Sequence, residues 1–295
     1  MNSLEIPDKP LPEPKNVVQY RLAKASRYGF IERDGSLKYD FHCHTRNGSL
    51  DARVDVLEYA RLLKEKGFAG MMVTDHNSYR GYREWLAVRE ETGGLEDFVV
   101  LRGIEYDTLD AGHILVVMPD EVELQVLEVR GLPVRRLTGI VHRCGGILGP
   151  AHPYGAKFLS AMCSKRLERE PDLIHEFDFV EAFNTCERPE SNRKAAHLAA
   201  RHGKVCFGGS DSHKVDYIGM AYTEIREPVT CANDLIRLVK EGRIDGCGGT
   251  EREPKERTPL WAATIGAGWR IYNRGVAAAR CHARKLGLRE AGFYG

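Results

Sequence analysis

The chain has 295 residues, 42% of them hydrophobic and 29% charged, with a formal net charge of +1. A charge so near zero excludes recruitment of nucleic acid or a membrane surface by a global field. No run reaches the roughly 18 apolar residues of a membrane span, "MNSLEIPDKPLPEPK" lacks the apolar stretch of an export signal, and the eight cysteines show no CxxC spacing, so the expected setting is cytoplasmic, with reduced thiols.

Pro7, Pro10, Pro12 and Pro14 mark residues 1–36 as an extended N-terminal arm. "LKYDFHC" then reads as a strand. Side chains alternate along a strand, so His42 and His44 share one face while Phe41 and Cys43 share the other. "ARVDVLEYARLLKEKG" is a predicted helix with Val56, Ala60 and Leu63 on one face, stopped by Gly67. "AGMMVTD" is a strand and "YREWLAVREE" a helix. "FVVLRGIE" and "HILVVM" are strands, and "PVRRLTGIVHRCG" is a helix. "GGILGPAH" and "DFVEAFN" are strands. Pro189 opens the helix "PESNRKAAHLAARHG", "KVCFGGSD" is a strand, and "CANDLIRLVKEG" is a late helix. Residues 37–250 are therefore expected to form one α/β domain, and about seven strand–helix units suggest a closed barrel of parallel strands. Residues 251–295 form a basic tail. Its apolar residues, Trp261, Ile265 and Trp269 among them, recur at helical spacing, consistent with a packed final helix or a basic amphipathic anchor for a membrane surface, nucleic acid or a partner.

In such a barrel the reactive groups gather at the C-terminal ends of the strands. The predicted strands carry His42 and His44, then "TDHN" with His76, "GIEYD" with Glu105, "GHILVV" with His113, "AHPY" with His152, "VEAFN" with Asn184 and "GSDSH" with Asp211 and His213. Six histidines with two or three carboxylates exceed what one zinc needs, so two or three divalent ions (Zn, Mn or Fe) are expected, with Glu105 as the bridging carboxylate. The plainer readings are a buried structural histidine for His113 and a strand-end turn residue for Asn184. Arg46 and Lys157 follow these motifs and are candidate substrate contacts, or ordinary solvated charges. Asp40 either orients a ligand imidazole or lies in water at a strand start.

"FHCHT", "VTDHN", "GIE", "AHP" and "GSDSH", in this order, resemble the PHP superfamily (polymerase and histidinol phosphatase), and the later stretch is similar to small stand-alone PHP phosphoesterases. The resemblance implies a distorted (β/α)7 barrel with a metal site at its mouth. It implies one metal on His42, His44, Glu105 and Asp211 and a second on Glu105, His113 and His152. His76 and His213 would hold a third or face the substrate phosphate as catalytic groups. Relatives usually carry an Asp or His soon after the HxH pair, where this chain has Asn47. Asp51 could replace it or cap the following helix.

The expected function is a metal-dependent phosphoesterase acting on a small phosphomonoester or nucleotide through a metal-bound hydroxide. The rivals are a binuclear amidohydrolase and a non-catalytic protein stabilised by metal. Nothing in the chain reads nucleic-acid bases specifically.

Overall fold

The computed structural model describes residues 35–91, 93–155 and 159–252, together with residues 264, 267, 268 and 271. The arm up to residue 34, Lys157, and the tail positions Trp261, Ile265 and Trp269 lie outside the described residues.

Between residues 35 and 252 the described strands and α-helices follow in chain order: β1 (Leu37–Cys43), α1 (Val56–Glu65), β2 (Gly70–Val73), α2 (Arg80–Val88), β3 (Val99–Asp107), β4 (His113–Val117), α3 (Val134–Arg143), β5 (Ile147–Pro150), α4 (Lys165–Arg169), β6 (Phe179–Asn184), α5 (Pro189–Arg201), β7 (Val205–Gly209), β8 (Ala221–Ile225), α6 (Ala232–Lys240) and β9 (Gly246–Gly249). α1 starts later than its pattern suggests. Asp55 caps it by accepting from Glu58 N, and Val56, Tyr59, Ala60 and Leu63 bury one stripe.

A curled sheet runs in the order β5-β4-β3-β2-β1-β8-β9, and β6 and β7 form a separate parallel pair. That pair closes the curl. Asp178 N donates to Leu148 O at the β5 side, and Asp211 N donates to His42 O (2.8 Å) at the β1 side. The result is a distorted seven-stranded barrel, with the β8–β9 hairpin lying against the first residues of β1. Phe41, Met72, Leu101, Leu115, Ile147, Phe179 and Phe207, one residue from each of β1–β7, pack into one core cluster, with the Phe179 and Phe207 rings stacked at 3.9 Å. A second cluster packs Cys43, Met71 and Val73 against α1 and α2.

Three local features depart from the sequence reading. First, β4 is antiparallel to β3 and joined to it by a tight hairpin rather than a helix. His113 therefore opens its strand, and the reversal brings that N-terminal end to the mouth. Gly112 makes the turn possible: its φ is +68°, and a Cβ there would lie 1.9 Å from Leu159 O. Second, the β1–β2 register shifts between Asp40 and Cys43. This bulge breaks the simple alternation, so Phe41 and Cys43 pack into different clusters, not on a shared face. Third, β8, β9 and α4 were not anticipated. The alternating burial of Ala221, Thr223 and Ile225 on β8 is a period-two pattern that Tyr222 and Glu224 obscure by being only half-buried.

Candidate metal centre

β1 places two imidazoles at the mouth, and every other barrel strand adds polar side chains beside them. Glu105, on β3, is 1% exposed and sits at the centre. Its Oε2 lies 3.4 Å from His42 Nε2, 3.2 Å from His44 Nε2 and 3.0 Å from His76 Nδ1. Its Oε1 lies 2.8 Å from His113 Nδ1 and 3.0 Å from His152 Nε2. One carboxylate thus faces five imidazole nitrogens, three through one oxygen and two through the other. Asp211 Oδ1 adds contacts at 3.3 Å to His44 Nε2 and 3.7 Å to His42 Nε2. His213 stacks on His44 with ring centroids 4.2 Å apart.

The outer nitrogen of most of these rings is held by a further group. His42 Nδ1 meets Glu181 Oε1 at 2.8 Å, His44 Nδ1 meets Ser49 Oγ at 3.2 Å, and His152 Nδ1 meets Ser160 Oγ at 3.3 Å. His113 turns the other way, with Nε2 against Asp107 Oδ1 at 2.8 Å. His213 Nδ1 meets the Asp211 carbonyl at 3.0 Å. Outer partners of this kind choose the ring tautomer and aim the other nitrogen inward.

The donor set fits divalent cations. His76 Nδ1, His113 Nδ1 and Glu105 Oε2 are buried without a hydrogen bond of acceptable geometry, although each has a polar neighbour at about 3 Å. Where the rings are neutral these atoms face one another as electron-pair donors, which is costly unless a proton or a metal cation lies between them. Three groups each gather their donor atoms within 4.8 Å: His42, His44 and Asp211; His76, Glu105 and His113; and His44, His76 and His213. Backbone strain marks the same region. Asn77, His152 and Asp211 are the positive-φ non-glycine residues among the described residues, at 48°, 30° and 50°, and all three follow strand ends at the mouth.

Electrostatics follow the packing. Burial opposes ionisation of Glu105, but His113, His76 and His42 outweigh it and hold the carboxyl well below its usual range. Burial also opposes charge on His113, yet Glu105 and Asp107 raise it to about 10. His44 is opposed by burial and raised to about 9 by Asp211 and Glu105. For His76 burial wins, and its pKa falls to about 4. A sign follows for the chain without metal. Imidazoles raised on folding contribute stability that is fully present below the unfolded value of 6.5, falls as pH climbs from there, and is lost once pH has passed the folded values of about 9 and about 10. Thermal unfolding in chelator is therefore expected to show a falling melting temperature across that pH window.

The other expected site residues fall as follows. Asn184 donates through Nδ2 to Glu181 Oε2 (3.2 Å) and Asp211 Oδ2 (3.3 Å), so it braces two carboxylates of the centre. The Arg46 side chain is 61% exposed and pairs with Asp55 Oδ2 at 3.1 Å, rather than with any group of the cluster. Asp40 is fully buried, not in water, and accepts from the backbone of His42 and Ser210. Asn47 accepts from Val56 N at the start of α1. Asp51 does not cap that helix; its Oδ2 faces His213 Nε2 at 3.3 Å. Glu181, Asp107, Ser49 and Ser160 escaped the sequence reading, and Asp75 stood in the "TDHN" motif with no role given to it. Two of them left a trace: Asp107 shares the Glu105 face of its strand at spacing two, and Glu181 is a carboxylate inside the apolar run "FVEAF".

Comparison with known proteins agrees with this architecture. The PHP domain family matches residues 40–191, and the PHP-associated family (PHP_C) matches residues 189–244. No curated protein matches the chain. Among solved structures, PsfC from Pseudomonas syringae PB-5123 is 15% identical with a TM-score of 0.54, covering 82% of this chain and 99% of its own. Endonuclease Q, in complex with a 27-mer duplex with an abasic lesion at its active site, is 14% identical with a TM-score of 0.50, covering 78% and 67%. A Bifidobacterium adolescentis protein provisionally described as a metal-dependent phosphoesterase is 17% identical with a TM-score of 0.49, covering 70% and 96%. Among the described residues no helix is long and apolar enough to cross a membrane. With a family match over more than half its length, and that family's HxH, TDH and DSH residues converging at the mouth of a distorted barrel, the chain belongs to the PHP domain family.

Proposed function

We propose that the chain is a metal-dependent phosphoesterase acting on a small phosphomonoester or nucleotide. The observation that carries this reading is the single carboxylate of Glu105 facing five imidazole nitrogens, split three and two between its oxygens. A carboxylate so divided suits two neighbouring cations better than one. His42, His44, Glu105 and Asp211 would hold one divalent ion, and Glu105, His113 and His152 the other. Asp51 beside His213 supplies a carboxylate for a third group with His76. When bound, such ions offer a hydroxide near neutral pH and neutralise charge on phosphoryl oxygens.

The chain's own residues do the rest. Asp107, Glu181, Ser49 and Ser160 keep the imidazoles in the tautomers that point inward. His76 and His213 keep 23% and 26% of their side chains exposed, against 6% or less for His42, His44, His113 and His152. A substrate entering from solvent meets these two first, and where they hold no ion their rings are placed to hydrogen-bond its phosphoryl oxygens.

The test is metal content by elemental analysis of untagged protein, paired with hydrolysis of an aryl phosphate before and after metal removal. Two or more equivalents, with activity that leaves and returns with the metal, support the proposal. Two equivalents without phosphate hydrolysis overturn the phosphoester reading. Two carboxylates near the start of α1 separate structure from chemistry. Asp55→Ala is expected to lower stability by about 1 kcal/mol, as loss of a helix cap does, with zinc uptake unchanged. Asp51→Asn is expected to leave thermal stability in chelator nearly unchanged and to remove the weakest step of a zinc titration.

A further inference from the structure

The chemistry of Ser49 is over-determined by its neighbours. Its hydroxyl has one proton to donate and two lone pairs to accept with. His76 N, a backbone donor, points at Ser49 Oγ from 3.1 Å and takes one lone pair. Asp75 Oδ1 lies 2.9 Å from the same oxygen and already accepts Thr45 N at 2.7 Å, so it is an acceptor and takes the hydroxyl proton. The third neighbour is His44 Nδ1 at 3.2 Å, and only the second lone pair is left for it. His44 must therefore carry its proton on Nδ1, which leaves the Nε2 electron pair facing Glu105 and Asp211.

Asp75 is built to hold this arrangement. It is fully buried, and its Oδ2 accepts from Thr45 Oγ1 at 2.8 Å. A Cβ on Gly48 or Gly81 would lie 2.1 or 2.2 Å from that same oxygen, so the carboxylate occupies a space that two glycines leave open. We infer that Asp75 and Ser49 are a positioning pair that sets the His44 tautomer through a hydroxyl bridge, the counterpart of the direct Glu181 contact to His42. The Asp75 carboxylate reaches the His44 ring through Ser49. This inference rests on the reading of the cluster as a metal centre, and it concerns how one ligand is aimed rather than which bond is hydrolysed.

The experiment is a long-range 1H–15N correlation spectrum of zinc-loaded protein labelled at histidine nitrogen, with His44 assigned by its disappearance in His44→Gln. The expected result is a proton on His44 Nδ1 and none on Nε2. Ser49→Ala should shift or broaden that Nδ1–H signal and weaken zinc binding about 10- to 100-fold in a chelator competition. Ser49→Thr, which keeps a hydroxyl, should restore both, and Asp75→Asn should weaken zinc while His42 keeps its spectrum. A proton on His44 Nε2, or an unchanged His44 signal and zinc affinity in Ser49→Ala, would overturn the inference. The tautomer is read on the parent chain, so a variant that fails to fold does not remove the test. A parent chain that binds no zinc would refute the metal reading instead. The tautomer would then be read on metal-free protein at high pH, where the ring is neutral, and Nε2–H there would overturn the inference as well.

Discussion

Glu105→Gln is expected, on the proposed two-metal phosphoesterase reading, to prevent uptake of the paired metals and to lower aryl phosphate hydrolysis roughly 1,000-fold, the equivalent of losing several kcal/mol of charge stabilisation. The reasoning is geometric. The glutamine side chain has the size of the original, so the barrel core below it, filled by Phe41, Phe179 and Phe207, is untouched. Its amide, however, brings no negative charge to bridge cations and would place N–H donors where His42, His44 and His76, or His113 and His152, present lone pairs. The check is elemental analysis and hydrolysis on the same preparation. A variant that keeps both metals and loses less than about tenfold in rate would show that Glu105 does not bridge.

Glu181→Ala is expected to have the largest combined effect on stability and metal uptake. Glu181 is 1% exposed and serves three donors from three places: His42 Nδ1 at 2.8 Å, His152 N at 2.5 Å and Asn184 Nδ2 at 3.2 Å. Truncation leaves all three buried without that acceptor. Each orphaned group costs about 1–3 kcal/mol, and water entering the gap recovers part of it, so the expected loss is about 3–5 kcal/mol. It also frees the His42 ring to change tautomer, which should weaken metal binding about 10- to 100-fold. Chemical denaturation in chelator reads the first effect, and zinc competition reads the second. Glu181→Gln separates them, because the amide oxygen still accepts one hydrogen bond while the charge behind His42 is gone. If the alanine variant unfolds at the parent's midpoint and keeps its zinc, the role assigned to Glu181 is wrong.

The chemistry of the centre was largely legible before any fold was known. His42 and His44 announce themselves by spacing. "TDHN", "GIE", "AHP" and "GSDSH" each end a predicted strand, and a barrel of parallel strands brings strand ends together. Residue type and position along the strand are local properties, and local properties are written in the chain. Strand and helix order was legible for the same reason except for α4, β8 and β9, with boundaries off by a few residues where caps such as Asp55 decide the start.

What only the tertiary structure decided is partnership. The sequence by itself determined the donor types, the PHP pattern and their placement at strand ends. It did not determine that His42 is aimed by Glu181, 139 positions away, that Asp51 belongs to His213 rather than to α1, or that a reversed β4 presents His113 from its first residue. Nor did it determine the bulge that separates Phe41 from Cys43. Each of these depends on which strands lie side by side and in what register. Register is set by the packing of both faces at once, and no single segment carries that information.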